Sequence, residues 1–246
     1  MLKKIYNFLA YLYSYFFYFF ENFFYKKNYQ ISNLHEKGYE LIDVNGFINY
    51  KFIVTKKFVN KYMSKDLLSN EDMHQSLKYI FINLNLKNII TNKTGLNFSI
   101  DYAIIYETFP IENNDKNQQW YANHWHIDKP FSRNTLKLIM PIENDILEES
   151  GGIEVLEKSQ KNKSNNCNFK NTFKMIASVN QALLFYPNIC YHKARSPRET
   201  SRKQIMIQLN PSQKWRINKN IAIKQKNAEP KFPLIAYFFD DYLYIN

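Results

Sequence analysis

From Phe98 onward the chain is written in short apolar runs, SIDYAIIYETF, YANHWHID, TLKLIMPI, GGIEVL, ALLFYP and KQIMIQL, separated by Pro, Gly, Asn and Ser. No helical run lies between them. Parallel strands need crossover segments of a dozen or more residues, usually helices. This spacing therefore excludes a βαβ architecture and predicts an antiparallel sandwich or jelly roll of about eight strands. The preceding region has a different texture. GYELIDV reads as a short strand from Tyr39 to Val44, while Lys57 to Met63 and Asp72 to Ile90 place apolar residues at helical spacing. Asn70 and Glu71 are plausible starts for the longer helix, and both stretches read as helices covering a sheet.

Within HWHID, His126 and Asp128 are two residues apart, so an extended backbone points both to one face and sends Trp125 and Ile127 to the other. His192, in YHKAR directly after the apolar run ALLFYP, supplies a third ligand from a different strand. Two neutral imidazoles and one carboxylate form the facial triad of non-haem Fe(II) oxygenases, which leaves open metal positions for other ligands. Such chemistry needs a planar cation for the distal carboxylate of a co-substrate, and Arg202 meets that need. It opens RKQIMIQL, where period two puts Arg202, Gln204, Met206 and Gln208 on one face and Lys203, Ile205, Ile207 and Leu209 on the other. A polar face on so apolar a strand points to a lined cavity.

Four segments resemble the phytanoyl-CoA dioxygenase (PhyH) family of Fe(II) and 2-oxoglutarate oxygenases. WHID resembles the family's W-H-x-D motif, SGGIEVLEKSQ its NGPLxVxPGSH segment, and GYELIDV its early strand; YHKARSPRETSRKQIMIQL resembles its distal His followed ten residues later by Arg. The likeness runs over residues 37 to 210 and is specific only at these motifs. It implies a mainly β fold with flanking helices, a double-stranded β-helix (jelly roll, cupin-like barrel). It also implies Fe(II) on His126, Asp128 and His192, 2-oxoglutarate anchored by Arg202, O2 as oxidant, and hydroxylation with release of succinate and CO2. Asp128 favours hydroxylation over halogenation, because related halogenases lack the carboxylate ligand. Glu157 and Lys158 stand where the family has Pro-Gly, and Gln160 where it has His.

Competing assignments concern individual residues. His124 has the parity of His126 and offers the HxH of a cupin-type enzyme that does not use 2-oxoglutarate, but Lys129, Pro130 and Phe131 stand where a cupin places Glu. His124 is then expected beside the site, supporting a ligand. Arg195 and Arg198, flanking Ser196-Pro197, and Tyr106 are secondary candidates for the co-substrate carboxylate, with turn, surface or substrate contacts as their simpler roles. Tyr102, Tyr106 and Lys137 are read mainly as core or solvent-facing. Gly151-Gly152 reads as a turn, and Glu143, Asp145, Glu148 and Glu149 as a solvated loop. A non-catalytic, membrane-associated binding protein with the same barrel is the remaining alternative.

The first two dozen residues, MLKKIYNFLAYLYSYFFYFFENFF, form an aromatic run flanked by Lys3-Lys4 and Lys26-Lys27. As a helix, Ile5 to Phe20 at about 1.5 Å per residue falls short of the roughly 30 Å hydrocarbon core. The tyrosines Tyr6, Tyr11, Tyr13, Tyr15 and Tyr18 with Asn7 and Ser14 suit a membrane surface through residues 1–27, with packing on the domain or a partner as the first alternative and a true span as the second. No small-residue cleavage site follows the run. The expected organisation is an amphipathic helix over 1–28, an oxygenase domain over 30–212 and a basic extension over 213–246 packing on the domain.

The formal charge of +11 raises the expectation of an anionic partner without identifying one, and a solvated basic surface is the favoured reading. Lysines such as Lys161, Lys163, Lys170 and Lys174 are dispersed among Asn without a nucleic-acid reading module, so no nucleic acid is expected. A small-molecule or lipid-like substrate is. Cys167 and Cys190 form no framework, which fits a reducing, cytoplasmic setting, with the aromatic helix as the feature that would place the chain peripherally at a membrane. Cys190 reads as a small core residue.

Overall fold

The computed structural model describes residues 2–46, 54–128, 132–157, 172–222 and 241–245. The aromatic run forms one helix, α1 (Leu2–Phe24), and α2 (Asn33–Lys37) follows. α2 ends at Gly38, whose φ of 86° turns the chain into β1 (Tyr39–Asp43). The stretch expected as a helix from Lys57 to Met63 is instead a hairpin, β2 (Thr55–Asn60) paired with β3 (Met63–Leu67). β-branched and aromatic residues at Thr55, Phe58 and Val59, and the turn at Lys61 and Tyr62, outweigh the weak helical spacing there.

The stretch expected as one helix to Ile90 is broken. α3 (Asn70–Lys78) starts at Ser69, whose hydroxyl accepts from the Asp72 N–H at 3.0 Å. A π-helical turn (Tyr79–Asn83) follows, Asn85 adopts φ 60°, and α4 (Leu86–Thr94) begins again. The two helices and the turn between them thus place Met73, Leu77, Ile80, Phe81, Leu86 and Ile90 against one face of the sheet, where all are fully buried.

The strand-rich half follows in order: β4 (Asn97–Thr108), β5 (Leu136–Pro141), β6 (Ile153–Leu156), β7 (Thr172–Lys174), β8 (Gln181–Phe185), β9 (His192–Ala194) and β10 (Arg202–Ser212). After Ser212 the chain stays on the sheet as β11 (Arg216–Asn218) and β12 (Tyr242–Tyr244). The large sheet runs β1-β8-β5-β10-β4-β11-β12, with β3 also on β4 and β2 on β3; the small sheet is β7-β6-β9. The β11–β4 pairing is parallel and the others are antiparallel.

The two faces of the large sheet do different work. Ile205, Ile207 and Leu209 of β10 join the core under α3 and α4, whereas Met206 packs with Ile139, Val155, Leu183 and Phe185 between the sheets. The residues that share the parity of Met206 line the interior: Arg202, Gln204 and Gln208, with Tyr106 and Tyr102 of β4 and Lys137 of β5 opposite them in register. The expected polar face is therefore present on the inner side of the large sheet. The Lys158–Gln160 departures, Cys167 and most of the basic tail lie outside the described residues.

Candidate metal and co-substrate site

HWHID is not a regular strand. His126 makes a single antiparallel bridge to His192, with reciprocal N–H to C=O bonds of 3.1 and 2.9 Å, and the rest of the stretch is irregular. That bridge still sets the two histidines side by side at the edge of the small sheet. The Asp128 N–H donates to Pro187 O at 3.0 Å, which brings the carboxylate back over both rings.

Each imidazole is held in one tautomer. A carbonyl can only accept, so His126 Nδ1 donates to His124 O at 2.8 Å and His192 Nδ1 to Cys190 O at 3.0 Å. Both Nε2 atoms are left as acceptors, and they lie 3.6 and 3.7 Å from the same oxygen, Asp128 Oδ1. The three donor atoms fall within 4.8 Å of one another. With metal–ligand bonds of about 2 Å, one ion reaches all three. Burial pushes His192 down to about 4, which keeps it in the neutral, ligating form at neutral pH. Burial would raise the Asp128 carboxyl, but the Lys137 ammonium overrides it and holds it below the usual carboxylate range.

Lys137 is the residue that sequence reasoning undervalued. It is buried on the cavity face of β5, and its ammonium contacts Asp128 Oδ2, the oxygen turned away from the histidines. The signal was its parity in TLKLIMP, where a lysine faces inward with Ile139; parity alone does not reveal a partner on another segment.

Arg202 is buried and its Nη1 donates to three carbonyls, Gly151 at 2.6 Å, Arg195 at 3.0 Å and Ser150 at 3.3 Å. Gly151 has φ +77°, and a Cβ there would lie 2.7 Å from Arg195 O, so this turn requires glycine for the carbonyls to converge. Arg202 Nε and Nη2 are buried and have no hydrogen-bond partner among the described residues. Two donors on one edge of a fixed guanidinium are left for a carboxylate that no described residue supplies. Burial accordingly pulls Arg202 below its ordinary range. Tyr106 sits beside it, accepting from Gln204 Nε2.

The secondary candidates separate. Arg195 Nη1 donates to Glu148 at 2.7 Å, while its backbone positions Arg202. Exposed Arg198 and exposed His124 line a cavity of about 470 Å³ with Lys193, Lys174 and Glu154. Those last three pair across β9, β6 and β7 on the face opposite Val155 and His192, so this cavity lies outside the barrel. His124 contributes its carbonyl, not its ring, to the triad.

No protein-family model matches the chain, and no curated protein matches its sequence. Solved structures do match in fold. The non-haem α-ketoglutarate-dependent epimerase SnoN from nogalamycin biosynthesis superposes with a TM-score of 0.53 at 10% identity, covering 72% of this chain and 79% of that one. HygX from Streptomyces hygroscopicus, with nickel and 2-oxoglutarate bound, gives a TM-score of 0.50 at 8% identity, covering 74% and 86%. The fold is a double-stranded β-helix. In this double-stranded β-helix β4, β10, β5 and β8 form the major face, and the His126 bridge, β9, β6 and β7 the minor one. The triad sits at the minor face and Arg202 at the start of β10, with the barrel interior between them.

Proposed function

We propose that the protein is a non-haem Fe(II)- and 2-oxoglutarate-dependent oxygenase of the PhyH-like kind, hydroxylating a small-molecule or lipid-like substrate with release of succinate and CO2. The observation that carries this reading is the pairing of two unfilled demands inside one barrel. His126, Asp128 and His192 present three lone-pair donors to one point, and Arg202 presents two unpaired buried donors. The first demand fits a divalent ion and the second a carboxylate, which matches a metal-chelating dicarboxylic acid such as 2-oxoglutarate.

When bound, Fe(II) with 2-oxoglutarate and O2 would supply the oxidising equivalent for C–H hydroxylation. The chain's own residues do the positioning. The His124 and Cys190 carbonyls keep both Nε2 lone pairs aimed inward. Lys137 holds Asp128 Oδ2, leaving Oδ1 to the metal. The carbonyls of Ser150, Gly151 and Arg195 fix Arg202 through Nη1 and leave its Nε and Nη2 donors for a ligand, and Met206, Phe185 and Val155 exclude water.

One observation favours a second reading. The Lys137 ammonium already serves as a counter-ion to Asp128, as it would in a metal-free barrel that binds without turnover. Anaerobic titration with Fe(II) and then 2-oxoglutarate separates them: the proposal expects the weak visible charge-transfer band of the chelate, lost in His126→Ala. Iron binding with no band supports a cupin-type enzyme, and binding of neither supports the non-catalytic barrel.

A further inference from the structure

The outer face of α1 carries a long run of exposed apolar side chains. Phe16, Phe19 and Phe23 are 68%, 74% and 73% exposed, and Ile5, Phe8, Leu9 and Leu12 are exposed with them. At roughly 100° per residue these side chains fall within an arc of about 120°. Two rows at heptad spacing, Ile5-Leu12-Phe19 and Leu9-Phe16-Phe23, run the length of the helix. The opposite face is fixed to the body. Glu21 is 2% exposed and accepts from the Ser132 hydroxyl and, at 3.0 Å, from Asn134 Nδ2. Arg133 from the same segment lies over the rings of Tyr15 and Tyr18, at 4.8 and 5.6 Å. The apolar stripe therefore faces outward because the other face is clasped.

We infer that this stripe docks the protein in the plane of an anionic bilayer surface. Charge decides between the two obvious occupants: the chain carries +11, which repels a second copy and attracts anionic headgroups. The composition agrees. Phenylalanines fill the stripe while Tyr15 borders it on the side that Arg133 clasps, a position suited to an interfacial ring with a wet hydroxyl. Lys26 and Lys27 follow the helix at headgroup level. No helix of the described residues is long and apolar enough to cross a membrane, so α1 lies along the surface for about 35 Å. The clasp by Ser132 and Asn134 ties it to the segment that follows Asp128.

The test is sedimentation of the full-length protein with phosphatidylcholine vesicles and with vesicles containing phosphatidylglycerol, at low and high salt. Metal and co-substrate are left out, so the result stands apart from catalysis. The expected result is partition onto the anionic vesicles, weakened by salt and reduced on the order of tenfold or more in Phe16→Glu/Phe19→Glu. These positions are exposed, and an unchanged thermal melt shows that the variant is folded. Absence of partition by the wild-type chain overturns the inference. So does a wild-type dimer in analytical ultracentrifugation that the same double variant dissociates, because a second copy then covers the stripe.

Discussion

Around Asp128 the donors point into the barrel and each is held by a further group: Nδ1 by a carbonyl, Oδ2 by an ammonium, a guanidinium by three carbonyls. Along α1 the large side chains point away from the body, and Glu21 with its neighbours makes the attachment. The first region is a preorganised polar site whose unmet valences are buried within the barrel. The second is an apolar surface on a light clasp. Both leave chemistry unfilled, but a buried lone pair calls for an ion whereas an exposed phenyl stripe calls for an extended partner. Burial tells the two apart.

The comparison breaks first at Asp128. Asp128→Ala should reduce Fe(II)-dependent succinate release to background. It also leaves Lys137 buried without its counter-ion, destabilising the barrel by roughly 3–5 kcal/mol, to be read from denaturant melts of wild type and variant. If iron affinity survives, the triad assignment fails. Next in size, Arg202→Met should raise the 2-oxoglutarate concentration needed for half-saturation about hundredfold with iron binding retained, as expected for a lost charge-assisted pair. An unchanged requirement would move the anchor elsewhere.

Lys137→Met sharpens the site further. If the ammonium orients Asp128, metal affinity measured by calorimetry falls roughly tenfold or more; a rise instead shows that it competes with the metal. The smallest effect belongs to the clasp. Burial pushes the Glu21 carboxyl from 4.5 to about 7, partly offset by Ser132 and Asn134. Between those values the docked helix holds a proton that the released helix has lost. The clasp is therefore strongest below about pH 4.5 and weakens as pH rises through about 7. Once the intrinsic pH dependence of exchange is divided out, protection of the amides over 2–24 should fall about tenfold or more from pH 5 to 7, and Glu21→Gln should flatten that fall.

Much of the barrel was legible because its strands are short, alternating and separated by turn residues. The parity of Arg202, Gln204, Met206 and Gln208 correctly forecast the lined face. The HxD spacing brought His126 and Asp128 together even though the segment proved irregular, since the His126–His192 bridge supplies the extended geometry. The failures came where local spacing competes with partners distant in sequence. β2 looked helical from Lys57 to Met63 until its pairing with β3 is seen, and the break at Asn85 depends on one residue accepting a left-handed conformation. Lys137 was read as an ordinary strand residue because its partner, nine positions away, meets it only through the fold.

The sequence by itself determined an antiparallel jelly-roll architecture, the convergence of an HxD pair with a later histidine, and an N-terminal aromatic helix rich in tyrosine. These depend on period, residue chemistry and order, which are properties of the chain. Only the tertiary structure decided that Asp128 Oδ1 faces both histidines while Oδ2 belongs to Lys137. It alone showed that Arg202 keeps two donors unpaired, and that α1 turns its phenylalanines outward because Glu21 is held inside. Each of those is a statement about burial and satisfaction, set by what packs against a group from elsewhere in the chain.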